Sequence, residues 1–306
     1  MNLKQRLEAH LTHLVRDRDP YLNSVGHFFV QQYIREQLEE WGTVEIHEFQ
    51  VRGKTHQNLI LNLPRNPSPS PSPTMRGEPS SPFPRREGGW GVRFSPKTSP
   101  ILIGAHYDAV PGSPGADDNG TGVAVLLELA REFASQPLNY PVRIVAFDME
   151  EYGLLGSEQY AEDLKQKGES LRLMLSLEML GYCDSSPNSQ LYPPGLKYFY
   201  PNQGNFIAFV GNLPTIPDLI SLSRNMRKAG TPSQLLPVPN RGLMVRQTRL
   251  SDHAPFWDRG YRAMMVTDTA FLRNPHYHQN SDTIQTLDLD FLTGVCQGLI
   301  EGIRRL

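Results

Sequence analysis

Thiol chemistry has almost nothing to work with in this chain, which carries two cysteines, Cys183 and Cys296, in 306 residues. Their wide separation matches neither a disulfide framework nor a C-x-x-C metal site, so two half-buried thiols in a reducing compartment are expected. Net charge is equally scarce, with 30 Lys plus Arg against 32 Asp plus Glu. That balance argues against a nucleic-acid or anionic-membrane surface built on charge excess and leaves a small molecule or a peptide as partner. No run of about 18 apolar residues is available to span a bilayer, and "MNLKQRLEAHLTHLVRDRDPYL" has no apolar signal core. The expectation is a soluble, cytoplasmic protein with no membrane contact. Internal repeats are also lacking.

Proline, by contrast, is abundant and unevenly placed. Residues 64–100 hold ten of the 26 prolines, among serines and arginines. Such a segment cannot bury enough apolar surface to offset its chain entropy, so it reads as a mobile insertion in a loop between two strands of one domain. Before it, apolar residues recur at helical spacing over 3–16 and 25–41, and strand patterns occupy 43–51 and 58–63. After it, strand and helix patterns alternate, from "PILIGAHY" and "GTGVAVLLELAREFAS" to "YRAMMVTD" and a closing amphipathic helix. That alternation is the mark of an α/β layered fold with a largely parallel sheet.

The ends of these predicted strands share one chemistry: His106 and Asp108, Asp148 with Glu150 and Glu151, Glu178, and Asp268. In open α/β sheets ligands bind outside the carboxyl ends of the strands, so residues remote in sequence converge there. Carboxylates crowded together repel, and sharing protons or binding a cation relieves the repulsion. Histidine with Asp and Glu, and no cysteine nearby, suits zinc in a catalytic setting. Taken singly, each motif has a plainer reading: an H-x-D met by chance, "DDNG" as a turn and helix cap, "EE" as a solvated loop. Their order and placement carry the argument.

Six stretches then resemble the zinc aminopeptidases of peptidase family M28: "HYD" (106–108), "GADDNGTG" (115–122), "EEYGLLGS" (150–157), "SLEMLGY" (176–182), "SDHAPFWDRGYRA" (251–263) and "NPHYHQNSDT" (274–283). The resemblance implies a three-layer αβα sandwich with a mixed, largely parallel central sheet. It also implies two zinc ions, with one possible, held by His106, Asp118, Glu151, Glu178 and His278. Asp118 would bridge, Glu151 and His278 would complete one site, and His106 and Glu178 the other. Asp108 would orient His106, and Glu150 would be the general base in metal-assisted hydrolysis of an N-terminal peptide bond. Many di-zinc members carry aspartate where this chain has Glu178, which puts the number of ions in question. His276 and His253 are expected off the metal, Asp117 in a turn or capping role, and no residue of "RQTRLSDH" offers a tyrosine to stabilise the oxyanion. The expected substrate is a peptide or aminoacyl compound. Rival expectations are a carboxypeptidase using Arg241, Arg246 or Arg249 as a carboxylate clamp, a glutaminyl cyclase of similar fold, and a catalytically silent peptide-binding member.

Overall fold

The computed structural model describes residues 1–66 and 99–306. The expected insertion thus lies largely outside the described residues. In chain order come α1 (Leu3–Leu14), α2 (Ser24–Glu39), β1 (Val44–Val51), β2 (Lys54–Leu63), β3 (Ile101–His106), α3 (Gly122–Ser135), β4 (Val142–Phe147), α4 (Leu155–Gln166), β5 (Leu173–Glu178), β6 (Ile207–Asn212), α5 (Ile216–Lys228), β7 (Ser233–Val238), α6 (His253–Asp258), β8 (Ala263–Thr267) and α7 (Leu289–Ile303). All eight strands form one sheet in the order β1-β2-β4-β3-β5-β8-β6-β7. Pairings β3 with β4, β3 with β5, β5 with β8 and β6 with β7 are parallel, and the rest antiparallel. The expected mixed sheet is present.

Side chains alternate across a strand, and the core divides accordingly. Ile101, Ile103 and Ala105 of β3, Ile144 and Ala146 of β4, and Leu173, Leu175 and Leu177 of β5 pack with α1, α2, α3, α5 and α7. Leu102, Val145, Phe147 and Met174 point the other way, onto Tyr160 and Leu164 of α4 and Phe256 and Trp257 of α6. Two helical layers around one sheet result, as the sequence pattern predicts.

Three features depart from the sequence pattern. Strand β2 begins four residues before the expected start at 58, because Val51 pairs with Lys54 across a two-residue turn in which Arg52 and Gly53 both have positive φ. A turn of that kind continues the ladder into polar "KTHQ". Strand β7, "SQLLPV", lacks alternation and contains Pro237, tolerated here because β7 is an edge strand. Helix α6 spans six residues, too few to show a period.

The parallel strands β3, β4, β5 and β8 deliver their carboxyl ends to one edge of the sheet. His106, Asp148, Glu178 and Asp268 therefore stand at one end of the sheet, although 162 positions separate the first from the last. His106 and Glu178 approach each other, while Asp148 turns to His27 and His56 and Asp268 to the N–H groups of Tyr182 and Ala270. No helix among the described residues is long and apolar enough to cross a membrane.

Candidate metal centre

Four loops build the centre. His106 ends β3, and its Nδ1 lies 3.3 Å from Asp108 Oδ1. The two Asp108 oxygens also accept the backbone N–H groups of Glu150 (3.1 Å) and Glu151 (3.2 Å), tying the end of β3 to the loop after β4. Asp118 sits in the wide helical turn Ala116–Thr121 before α3, where Asp282 accepts the N–H groups of Asp117 and Asp118. Asn119 Oδ1 accepts the N–H of Gly122, the first residue of α3. Glu178 ends β5 and accepts from Ser251 Oγ at 2.7 Å. His278 comes from the loop after β8, in a left-handed conformation with φ of 58°.

The side chains meet as follows. His106 Nε2 lies 3.4 Å from Asp118 Oδ1 and 3.7 Å from Glu178 Oε1, and His278 Nε2 lies 3.1 Å from Asp118 Oδ2 and 3.2 Å from Glu151 Oε2. Asp118 thus faces a histidine with each oxygen. Donor atoms of His106, Asp118 and Glu151 all fall within 4.8 Å of one another, as do those of His106, Glu150 and Glu178. Glu150, expected beside the metal, is therefore as near to His106 and Glu178 as a ligand would be.

Buried polar groups in folded proteins are nearly always hydrogen-bonded. Here His106 Nδ1 and Nε2, Asp118 Oδ2 and Glu151 Oε1 are buried without a well-formed hydrogen bond among the described residues. Orphaned nitrogen and oxygen donors converging on one point fit a divalent cation, and imidazole with carboxylate and no thiolate fits zinc.

The charges are strongly coupled. Burial, reinforced by Glu178, Glu151 and Asp252 against the opposing His106, pushes the Glu150 carboxyl well above its usual range. Burial, with Asp118 adding to it, raises Glu151 to about 7. Against burial, His106 and His278 hold Asp118 below the ordinary carboxylate range. Burial would lower His278, but Asp118 and Glu151 lift it to about 10. So acidic a pocket gains by taking up positive charge.

Two residues of this centre escaped the sequence reading. Asp252, in "SDHAPF", is fully buried with neither oxygen hydrogen-bonded, and burial raises it to about 7 with Glu178 and Asp108 adding to the effect. Tyr277 stacks on His278 at 3.7 Å between ring centroids and lines the same cavity as Asp118, Glu150, Glu151 and Glu178. Its adjacency to His278 was the available signal. Asp117 is no simple turn residue: buried, it accepts from Thr121 Oγ1, Gly181 N–H and Asn274 Nδ2, joining three loops. His253 is scaffold, with Nε2 donating to Thr248 O and its ring edge-on to Trp257; burial lowers it to about 4. His276 pairs with Ser281 Oγ, away from the donor cluster.

A cavity of about 320 Å³ opens from the centre, walled mainly by apolar side chains including Tyr192, Leu196, Phe206, Val210 and Met265. Of the three candidate clamp arginines only Arg249 lines it. Its guanidinium is engaged by both oxygens of Asp258 and by Arg241 O.

Fold and site together define a class, and comparison with known proteins gives it a family. Peptidase family M28 matches residues 92–301. The chain belongs to peptidase family M28, a metallo-exopeptidase by class. YfbL of Escherichia coli (strain K12) is 38% identical over 224 residues, covering 68% of this chain and 67% of YfbL. Leucine aminopeptidase 1 of Trichophyton equinum is 30% identical over 66% of this chain and 53% of its own length. Aminopeptidase YwaD of Bacillus subtilis is 45% identical, over 26% of this chain and 18% of its own length. The match thus spans about half or less of these two aminopeptidases. Among solved structures, Legionella pneumophila LapA aminopeptidase aligns over 99% of this chain and 71% of its own with a TM-score of 0.67 and 17% identity. Bacteroides thetaiotaomicron glutaminyl cyclase aligns over 99% and 97% with a TM-score of 0.63 and 16% identity, a likeness of fold alone.

Proposed function

We propose that the chain is a zinc-dependent aminopeptidase that releases apolar N-terminal residues from peptides. The observation that carries this reading is the set of buried, unpartnered donors on His106, Asp118 and Glu151 at the mouth of an apolar cavity. His106 and Glu178 would hold one ion, Glu151 and His278 another, and Asp118 would bridge them. Bound there, zinc supplies water acidified toward neutral pH and an electrophile for the scissile carbonyl.

The chain's own groups do the rest. Asp108 fixes the ring of His106 and, through the Glu150 and Glu151 N–H groups, the loop that carries the base. Glu150, beside His106 and Glu178, takes the proton of the attacking water and returns it to the leaving amine. Tyr277, which lines the same cavity, would donate its hydroxyl to the carbonyl oxygen as charge develops there. The surrounding carboxylates favour the substrate's α-ammonium group, and the cavity takes the first side chain, favouring Leu, Met or Phe over charged residues.

The carboxypeptidase alternative loses support because Arg249 is occupied by Asp258, while Arg241 and Arg246 lie outside the cavity lining. The glutaminyl cyclase likeness keeps one rival alive, and the same assay separates the two. A panel of aminoacyl p-nitroanilides with zinc-loaded protein should release p-nitroaniline fastest from Leu, Met or Phe, and glutaminyl substrates should yield free glutamine. Exclusive pyroglutamate formation would establish the cyclase, and bound zinc without turnover of any substrate would establish a silent binder.

A further inference from the structure

The segment 14–31 lies wholly outside the region matched by the family, yet its side chains grip each of the loops that carry the metal-facing residues of β3, the Asp118 turn and β4. Arg18 is 1% exposed. Its Nε donates to Tyr107 O (2.8 Å), Nη1 to Pro114 O (2.6 Å), and Nη2 to Gly115 O (2.8 Å) and Asp118 O (3.3 Å). One guanidinium therefore spans from the residue between His106 and Asp108 to the backbone of Asp118 itself. Gly115, at φ of 61°, gives it room: a Cβ there would stand 2.7 Å from Arg18 Nη2 and 2.4 Å from Asp118 O. The planar fork with its many donors suits this task, and a lysine's single ammonium does not.

The neighbours of Arg18 continue the grip. Asp19 Oδ1 accepts the N–H groups of Tyr21 and Leu22, while Oδ2 accepts the hydroxyl of Tyr152, the residue after Glu151. In α2, His27 Nε2 pairs with Asp148 Oδ1 at 2.8 Å and stacks on Tyr107. One turn on, Gln31 Nε2 donates to the Tyr107 hydroxyl. Residues 107, 114, 115, 118, 148 and 152 are thus all fixed from one short stretch of chain.

We propose that Arg18, Asp19 and His27 form a clamp that sets the His106, Asp118 and Glu150–Glu151 loops in register for metal, making them positioning residues of the centre. The inference rests on the metal reading above. Its physical reason is that like-charged ligands brought together without an ion repel, so a site ready for metal needs its loops held by something other than the metal.

The test uses two variants of the full chain, Arg18→Lys and Tyr152→Phe, the second removing a single hydroxyl that reaches Asp19. Zinc affinity is read by competition with a chromogenic chelator, and amide hydrogen exchange of 107–121 and 150–155 is read in metal-free protein. Both variants should bind zinc about tenfold or more weakly, with kcat lowered and KM little changed, as when groups that orient metal ligands are lost. Exchange should quicken in those loops while the strands keep their protection. Zinc affinity and loop exchange equal to wild type in Tyr152→Phe, and in Arg18→Lys if it folds, would overturn the clamp. If wild type itself binds no zinc, the proposed function falls, and the exchange result alone decides whether the segment restrains the loops.

Discussion

Two buried clusters of histidine and aspartate lie a few residues apart in this fold, and they differ in whether their carboxylate oxygens are satisfied. At the end of β4, Asp148 offers Oδ1 to His27 Nε2 (2.8 Å) and Oδ2 to His56 Nδ1 (3.2 Å), and also receives the Met149 N–H. Every carboxylate oxygen there is engaged. In the centre around Asp118, the histidine nitrogens stand 3.1–3.7 Å from the carboxylates, oxygens of Asp118, Glu151 and Asp252 lack partners among the described residues, and a cavity opens beside them. Composition does not tell these clusters apart. Unsatisfied carboxylates and access do, which is why one reads as a structural tie and the other as a site.

The sharpest way to break this contrast is to exchange the roles. Glu150→Gln should lower kcat by about 10²–10⁴-fold while zinc content stays at the wild-type level, measured by p-nitroaniline release and elemental analysis. Asp108→Asn should weaken zinc about 10–100-fold by releasing the His106 ring and the Glu150 and Glu151 N–H groups, read by chelator competition. Asp148→Asn should keep zinc stoichiometry and weaken zinc less than Asp108→Asn, since it releases only the His27 arm of the clamp, while losing about 3–5 kcal/mol of folding stability through the uncompensated histidines, read by denaturant unfolding.

The pH dependence of that loss sharpens the comparison further. Burial would raise Asp148, but His27 and His56 bring it down to about 2 from 3.8, so its contribution is present above pH 3.8 and is lost as pH falls toward 2. His27, lifted above 6.5 by Asp148 against its own burial, contributes below pH 6.5 and loses that contribution as pH rises through its folded value. The stability gap between wild type and Asp148→Asn should therefore be widest between about pH 4 and 6.5 and should narrow toward pH 2 in unfolding curves. At the small end, Arg246→Ala on the exposed loop should leave activity unchanged and stability within about 0.5 kcal/mol.

How much of this was legible depended on whether a residue's signal was local. His106, Asp148 and Glu178 stand at the ends of apolar runs that announce buried strands, so their convergence followed from α/β topology. The layers followed from the same alternation of strand and helix. Tyr277 and Asp252 were hidden inside stretches read for their neighbours, and their place is set by loops folding back across the sheet edge. Arg18 was hidden more deeply, since nothing in "RDRDP" separates a buried guanidinium from a solvated one. Its partners in the site loops lie 89 to 100 positions away, and only the fold brings them together. The turn before β2 and the edge strand β7 lacked the hydrophobic period on which strand reading depends.

The account stands most directly on hydrolysis of leucyl p-nitroanilide by the purified chain, with and without a chelator that strips zinc. The predicted result is turnover that the chelator abolishes, that added zinc restores, and that Asp118→Ala lacks even with zinc in excess. Turnover unaffected by the chelator, or restored by zinc equally in Asp118→Ala, would contradict it.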